Sequence, residues 1–171
     1  MKVVIETERT FLREMSMDDI DFVAGLLSNQ KAMRYFPKLY SRKEAQQAIE
    51  KHMFRYKLQG HSVWIMEDKK LAKPVGYLGL VMQSVERKAE PEIGYILHPD
   101  YWKCGYATEG ATATRDYAFE TLNYPYVISL IRPINEPSQA VARRVGMKID
   151  RKVDFFDNAH YVYKLNKADL K

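Results

Sequence analysis

Between Glu92 and Glu109 the chain reads Glu-Ile-Gly-Tyr-Ile-Leu-His-Pro-Asp-Tyr-Trp-Lys-Cys-Gly-Tyr-Ala-Thr-Glu, and no other stretch constrains the fold as tightly. The apolar run Ile93 to Leu97 predicts a buried strand, His98-Pro99-Asp100 a turn, and Gly105 a loop of bare backbone. A helix is expected from Ala107 to Leu122. A strand that feeds a helix through a glycine-bearing loop presents free backbone N–H groups at the positive end of the helix dipole. That arrangement suits a phosphate or pyrophosphate. Chemistry is then expected on the strand that precedes the loop.

The 171 residues suffice for one domain with a substantial core, so a single domain over 1–171 is expected. Hydrophobic residues make up 46% and charged residues 29%, and with no low-complexity tract this is the balance of a soluble globular chain. No apolar run is long enough to span a bilayer, and the N-terminus has no signal-peptide core, so no membrane partner is expected. Cys104 is the single cysteine, which excludes an intramolecular disulfide and fits a reducing cytoplasm. One thiol and four separated histidines do not make a metal site, and none is expected. The net charge of +5 comes from Lys and Arg spread along the whole chain, which argues a solvated surface rather than a nucleic-acid partner.

The remaining elements follow from capping and periodicity. A first strand is expected over Arg9 to Arg13. Ser16 and Asp19 form a capping-box pattern ahead of a helix through Ile20, Val23, Ala24 and Leu27. Ser41 and Glu44 form a second one, opening a longer helix through Ala45, Ala48, Ile49, Met53 and Tyr56 that Gly60 stops. Strands are expected over Ser62 to Glu67, Val75 to Val85 and Pro91 to Leu97, with a turn at Glu86 to Ala89. After the helix from Ala107 come a strand over Tyr126 to Ile131, a helix through Val141, Ala142 and Val145 closed by Gly146, and two strands. These cover Lys148 to Phe156 and His160 to Leu165, about a turn at Asp157-Asn158. Small residues at Ala107, Ala111, Thr114 and Ala118 let the third helix lie close on a sheet. The order is mixed α/β.

This order, with four motifs, resembles the GNAT superfamily of acetyl-CoA-dependent N-acetyltransferases, most closely the branch that holds the ribosomal-protein N-terminal acetyltransferases. The motifs are Thr7 to Arg13, Pro91 to Leu97, Tyr101 to Glu109, and Asn135-Glu-Pro-Ser138 followed by Val145-Gly-Met147. The resemblance implies an α+β fold with a mixed, mostly antiparallel sheet of about six or seven strands, about four helices and a splayed central cleft. It also implies acetyl-CoA as co-substrate, a small-molecule or peptide amine as acceptor, direct transfer, and closing strands that can meet a second subunit in a homodimer. Two loop positions depart from the branch: Lys103 stands where glycine is usual, and Cys104 where Lys or Arg is usual. A non-glycine at the first position can still donate its amide if its φ is negative. The departure leaves a second reading open, a module of the same fold that binds CoA without turnover.

By the same resemblance, backbone groups of Ile96, Leu97 and His98 pair with pantetheine and polarise the thioester carbonyl. The amides of Lys103, Cys104, Gly105, Tyr106, Ala107 and Thr108 hold the pyrophosphate. Glu92 is the candidate general base, because a protonated amine cannot attack and a carboxylate lining an apolar cleft is raised toward neutrality. Glu90 is its rival, nearer the turn and expected to be exposed. The tyrosine that many members place four residues before the last motif's glycine is absent, since Ala142 stands there. Ser138 is then the acid-side candidate, with helix N-capping as its other role, and Asn135 a pantetheine contact. Met33, Tyr35 and Phe36 in the Ala32–Leu39 loop are expected to line the acceptor site. Cys104 has no adjacent histidine and lies with the pyrophosphate loop, so it is not a nucleophile, and His98 beside Pro99 is expected as a turn residue.

Overall fold

The structure is a computed structural model that describes residues 1–170. Its elements in chain order are β1 (Val3–Glu6), β2 (Thr10–Arg13), α1 (Ile20–Leu27), α2 (Arg42–Gln59), β3 (Val63–Asp68), β4 (Lys73–Val85), β5 (Lys88–Leu97), α3 (Tyr106–Glu120), β6 (Tyr126–Ile131), α4 (Glu136–Val145), β7 (Lys148–Phe155) and β8 (Asn158–Asn166). Eight strands form one sheet in the order β1-β2-β3-β4-β5-β6-β8-β7. Every neighbouring pair is antiparallel except β5 with β6. The strand beyond the expected seven is β1, four residues hairpinned on β2 at the edge of the sheet.

Both capping boxes form as the sequence requires. Ser16 and Asp19 exchange side-chain and backbone bonds, as do Ser41 and Glu44, and Gly60 ends α2 in the left-handed region. One face of the sheet carries α1 and α2 over Val63, Ile65 and Ile96, with Val23, Leu26, Ala45 and Ile49 as the helical contribution. The other face carries α3 and α4 over Trp64, Leu78, Val127 and Tyr163. Each such buried aliphatic or aromatic side chain removes apolar surface worth about 1.5–3 kcal/mol from water. The helix α3 lies especially close, because a Cβ at Gly110 would come within 2.3 Å of Met66 Cε.

The geometry that matters for function is the parting of β5 and β6. β4 and β5 pair continuously from Gly76↔Leu97 to Val85↔Lys88, whereas β5 and β6 share the single register position Glu92↔Ile128. At that point Ser129 Oγ donates to the Ile93 carbonyl at 2.8 Å. Beyond it the two strands diverge and leave a gap.

Candidate active site

Two cavities meet at this gap. One, about 510 Å³, opens on the α2 face at Tyr77, Val81, Gln83, Glu92 and Gly94 and reaches through the gap to Val141 and Val145 of α4. The second, about 850 Å³, lies against the start of α3 and is lined by Lys103, Gly105, Tyr106, Ala107 and Thr108. They share Tyr35, Phe36, Tyr95, Ile96, Asn135, Ser138 and Val141, so the cleft runs through the sheet from one face to the other.

Strand alternation decides which groups of β5 face which side. Glu92, Gly94 and Ile96 point their side chains to the α2 face, where Val81 and Tyr77 are their cross-strand partners. Ile93, Tyr95 and Leu97 pack with the α3 and α4 layer. The same alternation sorts the backbone. His98 donates its amide to the Val75 carbonyl at 2.9 Å, so Ile96, two residues earlier, is also turned to β4. The amides that face the gap belong to Tyr95 and Leu97, which corrects the expectation for Ile96 and His98. The Leu97 carbonyl is already taken by Trp102 Nε1 at 3.0 Å. Ile96 lines both cavities with its side chain, and His98 is the turn residue expected, its ring accepting from Asp100 N.

Glu92 sits half-buried in the first cavity. Gln83 Nε2 donates to one carboxyl oxygen at 3.0 Å and Leu130 N to the other at 3.4 Å. Burial raises its pKa to about 7, against the opposing pull of those two bonds. Glu90 is a correction: it is buried rather than exposed, with 1% of its surface accessible. Arg151 Nη2 pairs with it at 2.7 Å and Tyr126 Oη donates at 3.1 Å, both from strands distant in sequence. Neither cavity is lined by it.

Ser138 is not the N-cap of α4. Asn135 holds that position, its side-chain oxygen accepting from Ser138 N at 3.2 Å, and this frees the serine hydroxyl. Tyr95 Oη donates to Ser138 Oγ at 3.1 Å. Burial pushes the Tyr95 hydroxyl up to about 12, so it stays protonated at neutral pH. Nothing in the sequence motif pointed to Tyr95; the period-two alternation of β5 was the available signal, since it turns position 95 toward α4.

The loop before α3 carries free donors. Gly105 caps α3 with φ +84° and no side-chain bond, so the amides of Tyr106, Ala107 and Thr108 have no partner within the helix. Lys103 has φ +60°, so the condition for its amide to donate as glycine's would, a negative φ, is not met, and this side chain occupies a left-handed position that glycine adopts without strain. Cys104 is exposed and its side chain lines neither cavity, while its carbonyl accepts from Arg9 Nη1 at 2.9 Å. A contact between Arg9 and Glu109 closes the loop from the other side: Arg9 Nε and Thr7 Oγ1 each reach a Glu109 oxygen at 2.6 Å. Of the acceptor-loop residues, Tyr35 and Phe36 line both cavities. Met33 does not. It is buried in the α1–α2 core at 3% exposure, because its helical-turn backbone bond to Asn29 swings it inward. Among the described residues no cluster of His, Cys, Asp or Glu has the makings of a metal site, and no helix is long and apolar enough to cross a membrane.

A mostly antiparallel sheet parted at one parallel step, with uncapped amides before the following helix, defines the GNAT acetyltransferase class. The family profile "Acetyltransferase (GNAT) domain" matches residues 9–148, so the chain belongs to this family and is an acyltransferase. An uncharacterized protein of Bacillus subtilis, YkkB, is 32% identical over 164 residues, 95% of each chain. The spermidine N(1)-acetyltransferase of Escherichia coli K12 is 28% identical over 155 residues, covering 88% of this chain and 80% of its own. Among solved structures, the acetyltransferase from Agrobacterium tumefaciens C58 superposes with a TM-score of 0.84 at 26% identity, covering 98% of this chain and 95% of its own. The ribosomal-protein-S5-alanine acetyltransferase from Vibrio fischeri shares the fold with a TM-score of 0.78 at 18% identity, over 99% of this chain and all of its own.

Proposed function

We propose that the protein transfers an acetyl group from acetyl-CoA directly to a primary amine, with Glu92 as general base and Ser138 beside the departing sulfur. The observation that carries this reading is the cleft through the sheet. It has a carboxylate raised to neutrality on one side, uncapped amides on the other, and a paired hydroxyl where they meet. The amides of Tyr106, Ala107 and Thr108, with the Lys103 side chain near them, suit a pyrophosphate. The gap-facing amides of Tyr95 and Leu97 suit an extended pantetheine arm, as an added strand would be held. Asn135, at the junction, is the further contact for that arm.

Acetyl-CoA supplies the activated thioester. The chain then supplies the proton traffic. Glu92, near half-ionised at neutral pH, takes one proton from the incoming ammonium, so that nitrogen has a lone pair to form the C–N bond. As the C–S bond breaks, a second proton from nitrogen ends on the thiol, and the Tyr95–Ser138 hydroxyl pair is placed to pass it. The products are an amide and free CoA, and Glu92 returns its proton to solvent. The likeness to spermidine and ribosomal-protein acetyltransferases supports an amine acceptor without choosing between a small molecule and a protein N-terminus.

The test is isothermal titration with acetyl-CoA, followed by measurement of CoA release across an amine panel. Saturable binding, a melting point raised by acetyl-CoA and amine-dependent CoA release are expected. Binding without release for any amine would leave the module reading in its place. Radiolabel retained on the protein in the absence of amine would replace direct transfer by a covalent route.

A further inference from the structure

The charges that line the first cavity are unbalanced. Its walls hold three cationic side chains, Lys38, Arg55 and Arg132, and one carboxylate, Glu92. Lys38 is neutralised by an ion pair to Glu44, which lies outside the cavity. Arg55 and Arg132 are half-buried, and neither guanidinium has a carboxylate or hydrogen-bond partner among the described residues. Burial also presses the Arg55 guanidinium below its ordinary pKa, as happens to a cation drawn from water without a counter-ion.

The neighbours do not relieve this. His52, one turn before Arg55 on α2, bonds Ser62 Oγ through Nδ1 at 2.8 Å and is held neutral, its pKa lowered to about 3 mainly by burial. His160 is turned to the Asn158 carbonyl at 2.9 Å. Tyr40 and Tyr77 offer hydroxyls and aromatic walls, and no acid. A guanidinium is always charged and is shaped to grip a carboxylate with two parallel bonds. A polyamine entering this cavity would bring further positive charge against two unpaired cations, with Glu92 committed to the reacting nitrogen.

We infer that the acceptor is a primary amine that also carries a carboxylate, which Arg55 and Arg132 hold while the amino group faces Glu92. This rests on the acetyl-transfer reading and names the substrate class for it. The carboxylate can belong to a free amino acid or to an acidic peptide.

Three amines of matched length test the charge: γ-aminobutyrate, n-butylamine and putrescine, which end in a carboxylate, a methyl group and a second ammonium. Spermidine, L-glutamate and a short peptide Ser-Asp-Asp complete the panel. Specificity, as kcat/KM at low salt, is expected to fall from γ-aminobutyrate through butylamine to putrescine, about tenfold or more between the ends. L-glutamate against the peptide then separates the two sources. Arg55→Met should collapse the ratio of γ-aminobutyrate to putrescine toward one, and Arg55→Glu should invert it. Unchanged acetyl-CoA titration would show that each variant is folded. Preference for putrescine or spermidine, or a ratio indifferent to Arg55→Glu, overturns the inference and leaves acetyl transfer standing. No CoA release with any amine, despite acetyl-CoA binding, overturns both.

Discussion

At the scale of single residues, Glu92 and Lys103 are both held away from their ordinary preference, and each gives a measurable consequence. For Glu92 the shift is upward, to about 7, and its cause is burial. In the unfolded chain its carboxyl ionises in the usual range, so between that range and neutrality the folded protein keeps a proton that the unfolded chain has released. Stability from this group therefore falls as pH rises through the window. Glu92→Gln should raise the melting temperature near pH 8 and leave it little changed near pH 4, while cutting kcat about a hundredfold. The wild-type rate should rise with pH and level off above about 7, and the variant should lose that inflection. A retained inflection would move the base role elsewhere. Lys103 lies at φ +60°. A left-handed non-glycine residue costs roughly 1–2 kcal/mol, part of which glycine gives back through its freer unfolded chain. Lys103→Gly is expected to stabilise the fold by about 0.5–1 kcal/mol in urea unfolding.

At the scale of elements, the strand β5 explains why the two sides of the cleft differ. Its even positions serve the α2 face and its odd positions the α4 face, so one strand delivers both Glu92 and Tyr95. Gly94 is the even position between Glu92 and Ile96, and a Cβ built there meets nothing within 4 Å. Gly94→Val should therefore fold normally, since a branched residue suits a strand. Its side chain would stand in the first cavity beside Glu92 and raise KM for the amine about tenfold or more, with acetyl-CoA affinity preserved. A loss of acetyl-CoA affinity instead would mean that pantetheine, not the amine, occupies that face. The capping boxes, Gly60, Gly105 and Gly146 were legible in the sequence because each is a local device satisfied within a few residues. The other seven strands were legible for the same reason, whereas β1 and its hairpin were not.

At the scale of the whole molecule, Arg9 from the distant β1–β2 turn holds the loop before α3, reaching Cys104 O, Glu109 and the Tyr106 ring together. Because Arg9 is partly exposed, the ion pair itself adds little stability, within about 1 kcal/mol. Its effect should appear in binding, since three contacts fix a loop whose amides must point at one ligand. Arg9→Ala is expected to weaken acetyl-CoA binding several-fold in isothermal titration, with a melting temperature close to the parent's.

What the sequence determined by itself was the family, the order of elements, and the identity of the strand and loop around which the site is built. Those rest on local rules: periodicity, caps, glycine at positive φ, and backbone amides left over at a helix start. Only the tertiary structure decided which side chains face which cavity. The sequence favoured Glu92 over Glu90 but expected Glu90 in solvent, whereas Arg151 from a strand 61 residues away buries Glu90 in an ion pair and Glu92 is left in the cleft. Met33 is a loop residue in the sequence and a core residue in space. Tyr95, Arg55 and Arg132 come together only when β5, α2 and the end of β6 are folded around the gap. Burial and long-range pairing set charge and protonation, and neither is written in any short stretch of the chain.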